Sequence, residues 1–112
     1  MEYNEKDYKD KMKILKAEND LKKYIKNARK AILNKEYSKA KLYLKEALVM
    51  DSSNAEIENL LGVIEESLGN QRSAQNYYRV ALVFDLTYAP AENNLKRLSL
   101  DNSGIYSIDL GE

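Results

Sequence analysis

The sequence predicts an all-α protein of tandem antiparallel helix-turn-helix hairpins, about five helices in all. Three observations predict it. Apolar residues recur three and four apart almost throughout, as helices with one buried face require. Residues 40–51 recur at 74–85, 34 positions on, with six of twelve residues identical, where unrelated segments share about one. Clusters of turn-forming residues cut the pattern into helix-length pieces. A period of 34 belongs to arrays of helical hairpins, in which each unit buries its apolar face on its neighbours.

The elements follow in order. Ile14, Ala17, Leu21, Tyr24, Ala28 and Ala31 form a stripe widened by Ile25 and Ile32, which predicts one long first helix over about 5–34. Asn34-Lys35-Glu36 makes a tight turn. A second helix over 37–50 places Ala40, Leu44, Ala47 and Leu48 on one face. Ser53, with Glu56 three residues on, reads as a capping box that starts a third helix running to about residue 68. Gly69 supplies its left-handed stop, and Asn70 is placed to cap a fourth helix over 71–84. Pro90, the only proline, suits the first turn of a fifth helix ending near residue 100, where its missing N–H is harmless. Residues 101–112 have no helical period and read as a flexible tail.

Composition narrows the function. The chain has 112 residues, 32% charged and 44% hydrophobic, the make-up of one soluble folded domain. No apolar run is long enough to span a membrane, and no apolar segment follows the charged N-terminus, so a cytoplasmic protein is expected. Histidine and cysteine are both absent. That removes the imidazole base, the thiolate nucleophile and ordinary zinc ligation. The four glycines, Gly62, Gly69, Gly104 and Gly111, are scattered and make no phosphate loop. The expectation is a non-enzymatic protein with no cofactor and no metal. Net charge is zero, yet residues 1–30 hold ten Lys/Arg against six Asp/Glu, and residues 55–112 hold four against nine.

Residues 21–100 resemble the tetratricopeptide repeat family. With units at 21–54 and 55–88, the small residues at unit positions 8, 20 and 27 are Ala28, Ala40 and Ala47, then Gly62, Ala74 and Ala81. Position 24 is Leu44 and Tyr78, Leu61-Gly62 matches the family's Leu-Gly pair, and residues 89–100 repeat the start of a unit as a capping helix. Residues 1–20 precede the array as a charged helical extension. There are departures. Glu58 stands where the family has a bulky aromatic, and Glu65 where an aromatic is usual; both are expected to reach solvent.

The resemblance implies a right-handed α-solenoid whose first helices line a concave groove for a peptide or helix of a partner protein. The groove residues it implies are Lys22, Ile25, Lys26, Arg29 and Ile32, then Asn59, Leu60 and Val63, then Asn93, Asn94 and Arg97. The asparagines suit hydrogen bonding to a ligand's backbone. A family subset grips terminal carboxylates with a Lys/Asn/Arg clamp; here those positions are Ile25, Arg29, Leu60, Pro90 and Asn94, so the clamp is missing. So short an array invites self-association, and the stripe of Ile14, Ala17, Leu21 and Tyr24 is the expected homodimer contact. Ile105, Ile108 and Leu110 would also let the tail lie in the groove as a built-in competitor. The alternative function is a nucleic-acid-binding adaptor using the basic N-terminal helix. Acidic residues interrupt that helix, and a solvated face laced with i,i+4 pairs explains it equally.

Overall fold

The computed structural model describes residues 4–100 and 108–111. They form five helices and no strand: α1 (Glu5–Leu33), α2 (Tyr37–Met50), α3 (Ala55–Ser67), α4 (Gln71–Phe84) and α5 (Ala89–Ser99). Each helix packs on the next, and the first helices also touch, α1 on α3 and α3 on α5. The core runs along these seams as Ile25, Ala28, Leu44, Ile57, Leu60, Ile64, Tyr78 and their neighbours.

The 34-residue period appears in the backbone. After α1, Lys35 N–H donates to Ile32 O (2.9 Å) and Glu36 N–H to Ala31 O (2.8 Å). After α3, Gly69 N–H donates to Glu66 O (3.0 Å) and Asn70 N–H to Glu65 O (2.8 Å). Both are Schellman closures, which need a left-handed residue just past the helix. Lys35 (φ 60°) and Gly69 (φ 88°) supply it. The second turns match too. Asp51 and Asp85 cap α2 and α4 in extended conformation, and their carboxylates accept from Ser53 N–H and Thr87 N–H. Pro90 sits in the first turn of α5.

Close packing explains the small residues. Ala28, Ala40, Ala47, Ala74 and Ala81 are wholly buried. A Cβ on Gly62 would lie 2.5 Å from Tyr78 Cε1. One repeated pair does not pack: Val49 and Val83 are 83% and 80% exposed, and nothing in the structure explains their identity.

Two caps differ from the sequence reading. α3 is capped by Asn54, whose Oδ1 accepts from Ile57 N–H at 3.1 Å, and not by Ser53. Asp51 takes Ser53 N–H into the preceding turn, which moves the start one residue on. Asn70 stands at the N-cap of α4, but its amide donates back to Glu65 instead of capping. Nor do both carboxylates at the seam reach solvent. Glu65 pairs with Lys41 (3.4 Å). Glu58 is only 9% exposed, and burial pushes its carboxyl above the ordinary carboxylate pKa.

Candidate peptide groove

Helices α1, α3 and α5 bring together Arg29, Asn59, Asn93 and Asn94, and residues 109–111 lie across them. The contacts are largely to main chain. Asn94 Oδ1 accepts from Asp109 N–H (2.7 Å), while Asn94 and Asn59 both donate to Asp109 O (2.8 and 3.0 Å). Asn94 also donates to Asn59 Oδ1 (3.0 Å). Both asparagines are wholly buried, and this network meets the full donor and acceptor capacity of Asn94 save one lone pair. Buried amides without such partners would be costly.

Arg29 holds the next two residues. Its Nε donates to Leu110 O (2.9 Å) and its Nη2 to Gly111 O (3.2 Å). Glu56 orients the guanidinium from α3 at 2.9 Å. The fork geometry suits this pair of carbonyls in a way that a lysine could not match. Asp109 folds its carboxylate onto the chain itself, accepting from Gly111 N–H (2.9 Å) and from Asn93 (3.2 Å). Leu110 packs against the core, whereas Ile108 is exposed. Gly111 adopts φ 78°, and a Cβ there would collide with the Tyr88 hydroxyl. That hydroxyl is buried and unpartnered among the described residues. Burial and the Glu56 carboxylate push its pKa up to about 12, against the opposing charge of Arg29.

The other expected groove residues fall into two groups. Ile25, Ile32, Leu60 and Val63 belong to the buried core. Arg97 is 6% exposed and pairs with Glu66, which also accepts from Tyr78 Oη at 2.8 Å. This network ties α3, α4 and α5 together, and it leaves the buried Arg97 Nε without a hydrogen-bond partner among the described residues. Burial and the Glu66 carboxylate raise the Tyr78 pKa. Lys22 and Lys26 are exposed on α1 on the side of Arg29, seven and three residues before it.

The expected self-association stripe is divided. Leu21 and Tyr24 pack on the core, with the Tyr24 ring 6.4 Å from that of Tyr43. Ile14 is 59% exposed, and Ala17 is exposed with it. Residues 109–111, within the segment expected to be a flexible tail, make the bonds described above; Ile105 lies outside the described residues.

Tyr88 and the Asp109–Gly111 turn were not among the site residues the sequence singled out. Asp-x-Gly is a turn signal that could have marked the last. Tyr88 stands 34 residues after the cap Asn54, an unusual exchange that could have marked the first helix turn of α5. Among the described residues no group of His, Cys, Asp and Glu could hold a metal ion, and no helix is long and apolar enough to cross a membrane. No family model matches the chain, and neither the curated proteins nor the solved structures contain a match.

Proposed function

We propose that this chain is a protein–protein interaction module of the tetratricopeptide type, which binds an extended segment of a partner protein in the groove between α1, α3 and α5. The observation that carries the reading is the reception given to residues 109–111. Two buried asparagines and an arginine hold main-chain atoms, which any polypeptide presents. The matched Schellman turns and small-residue contacts at a 34-residue interval support the repeat architecture. The basic surface of α1 favours nucleic acid less. Its single arginine, Arg29, is already committed to carbonyls and to Glu56, and arginine carries most specific nucleic-acid contacts.

The test is selection of peptides from a displayed random library on the full chain, with Arg29→Ala and Asn94→Ala chains as counter-targets. Enriched peptides should bind the parent chain and lose at least about tenfold in affinity on each variant, the effect expected for a lost charge-assisted or buried hydrogen bond. Failure to enrich any peptide, or enrichment of peptides indifferent to both substitutions, would exclude the groove as a binding site.

A further inference from the structure

We infer that the groove selects segments of the pattern aspartate–aliphatic–glycine, and that residues 109–111 are a resident copy which a partner's segment must displace. The inference rests on the groove being a peptide site, and it concerns what that site reads.

Main-chain contacts alone would admit any extended peptide. Three side-chain conditions narrow the choice. The aspartate bonds the N–H two residues ahead and the amide of Asn93. This turn aims the next two carbonyls at one guanidinium, so that Arg29 Nε and Nη2 are both filled. The middle residue packs on the core as Leu110 does. The third has a left-handed φ of 78° and faces the Tyr88 hydroxyl, so a β-carbon is excluded twice, by backbone conformation and by collision. Charge agrees with the pattern: Lys22, Lys26 and Arg29 run along one side of α1, and the ligand contributes a carboxylate.

Residues 109–111 satisfy all three conditions, and they are tethered. Eight residues separate Ser99, the end of α5, from Ile108, which gives the segment an effective concentration on the order of millimolar. A partner must compete with that. Its apparent affinity falls by the fraction of molecules whose groove is open, about tenfold if one in ten is open. The tether thereby sets a threshold against weak or mismatched segments.

Substitution of the tail alone tests this without touching the groove. Asp109→Pro removes the N–H that Asn94 accepts, and Gly111→Val forces a β-carbon against Tyr88; both positions lie outside every helix. The probe is a fluorescein-labelled Ser-Ile-Asp-Leu-Gly peptide, followed by anisotropy on the full-length chains. It should bind Asp109→Pro and Gly111→Val chains roughly tenfold more tightly than the parent. Probes carrying valine for glycine or alanine for aspartate should bind the opened chains at least about tenfold more weakly. Equal affinity for parent and opened chains would show that the tail does not compete. Equal affinity for all three probes would show that the pattern is not read. Absence of probe binding, while library peptides still require Asn94, would overturn the pattern and leave the peptide-binding role standing. Absence of both would remove the two together.

Discussion

Lys35 and Gly69 occupy equivalent places and share one backbone conformation, yet only one of them is a glycine. A β-carbon in the left-handed region costs about 1–2 kcal/mol. No atom lies within 4 Å of a Cβ built on Gly69, so the effect of Gly69→Ala is conformational only. It should lower stability by about 1 kcal/mol, and Lys35→Gly should raise it by a similar amount, read from urea midpoints at constant slope. Glu58 gives a pH-dependent counterpart. Its carboxyl pKa is raised from 4.5 in the folded chain, so the folded state binds the proton more tightly than the unfolded one. The stability this contributes is fully present below pH 4.5 and is lost as pH rises through the folded value. Glu58→Gln should therefore be more stable than the parent at neutral pH, with the difference shrinking as pH falls toward 4.5. Thermal midpoints at a series of pH values would show it; a difference independent of pH would mean that Glu58 ionises freely. This burial was hidden in the sequence. The repeat spacing gave Glu58 a position usually filled by a bulky aromatic, but whether a glutamate side chain escapes to water depends on how tightly its neighbours close.

Between elements, the two hairpins solve one packing problem with different pairs. In the first, Ala28 faces the second helix and position 44 is leucine; in the second, the corresponding residues are Gly62 and Tyr78, and both large side chains are wholly buried. The ring occupies the space a methyl would need, with Tyr78 Cδ1 2.7 Å from a Cβ built on Gly62. Overpacking costs about 1–3 kcal/mol, and alanine's helix propensity returns about 1. Gly62→Ala should thus destabilise by up to about 2 kcal/mol despite improving the helix. Adding Tyr78→Leu recreates the pair of the first hairpin. The two changes should be strongly non-additive, with Gly62→Ala turning neutral or stabilising in the leucine background; additive losses in a double-mutant cycle would disprove the pairing. The requirement for a small residue at 62 was legible in the repeat. The reason for glycine over alanine was not, because it lies in the partner helix. Helix limits were legible for the same kind of reason: Pro90, Gly69 and the Asp51 and Asp85 turns act locally. The caps at Ser53 and Asn70 were misread because two neighbouring polar groups compete for one role, and only the folded turn decides between them.

At the scale of the whole molecule, the sequence suggested a row of first-helix residues and the tail that would lie along it, but not the bonds between them. The sequence suggested that apolar residues would hold the tail. Of these Leu110 packs on the core and Ile108 is exposed, while main-chain bonds to Arg29, Asn59 and Asn94 hold residues 109–111. Such bonds leave little mark on the sequence of the segment they bind. The opposite end poses a different question. The chain measures 62 × 28 × 19 Å, and α1, with 29 residues, accounts for about 43 Å of that at 1.5 Å per residue. No residue from Asn4 to Asn19 is buried, and Tyr8, Met12, Ile14 and Leu15 are 46–59% exposed. Among the described residues, nothing buries that half of the helix. It starts, however, from a nucleus already paid for by the packed half, so each further turn gains or loses only what propagation allows, with a factor near 1–1.6 per residue. Local support is small. Asn4 caps Asp7 N–H at 3.2 Å, and the exposed Glu5–Lys9 pair adds about 0.3–0.5 kcal/mol. Amide exchange should accordingly be graded, with strong protection from Ile25 to Ile32 and a steady decline from Leu21 toward Glu5. The decline should be unchanged between micromolar and near-millimolar protein. Protection that is flat along the helix and rises with concentration would instead mean that a second copy covers Tyr8, Met12, Ile14 and Leu15, and sedimentation at the same concentrations would then show a dimer.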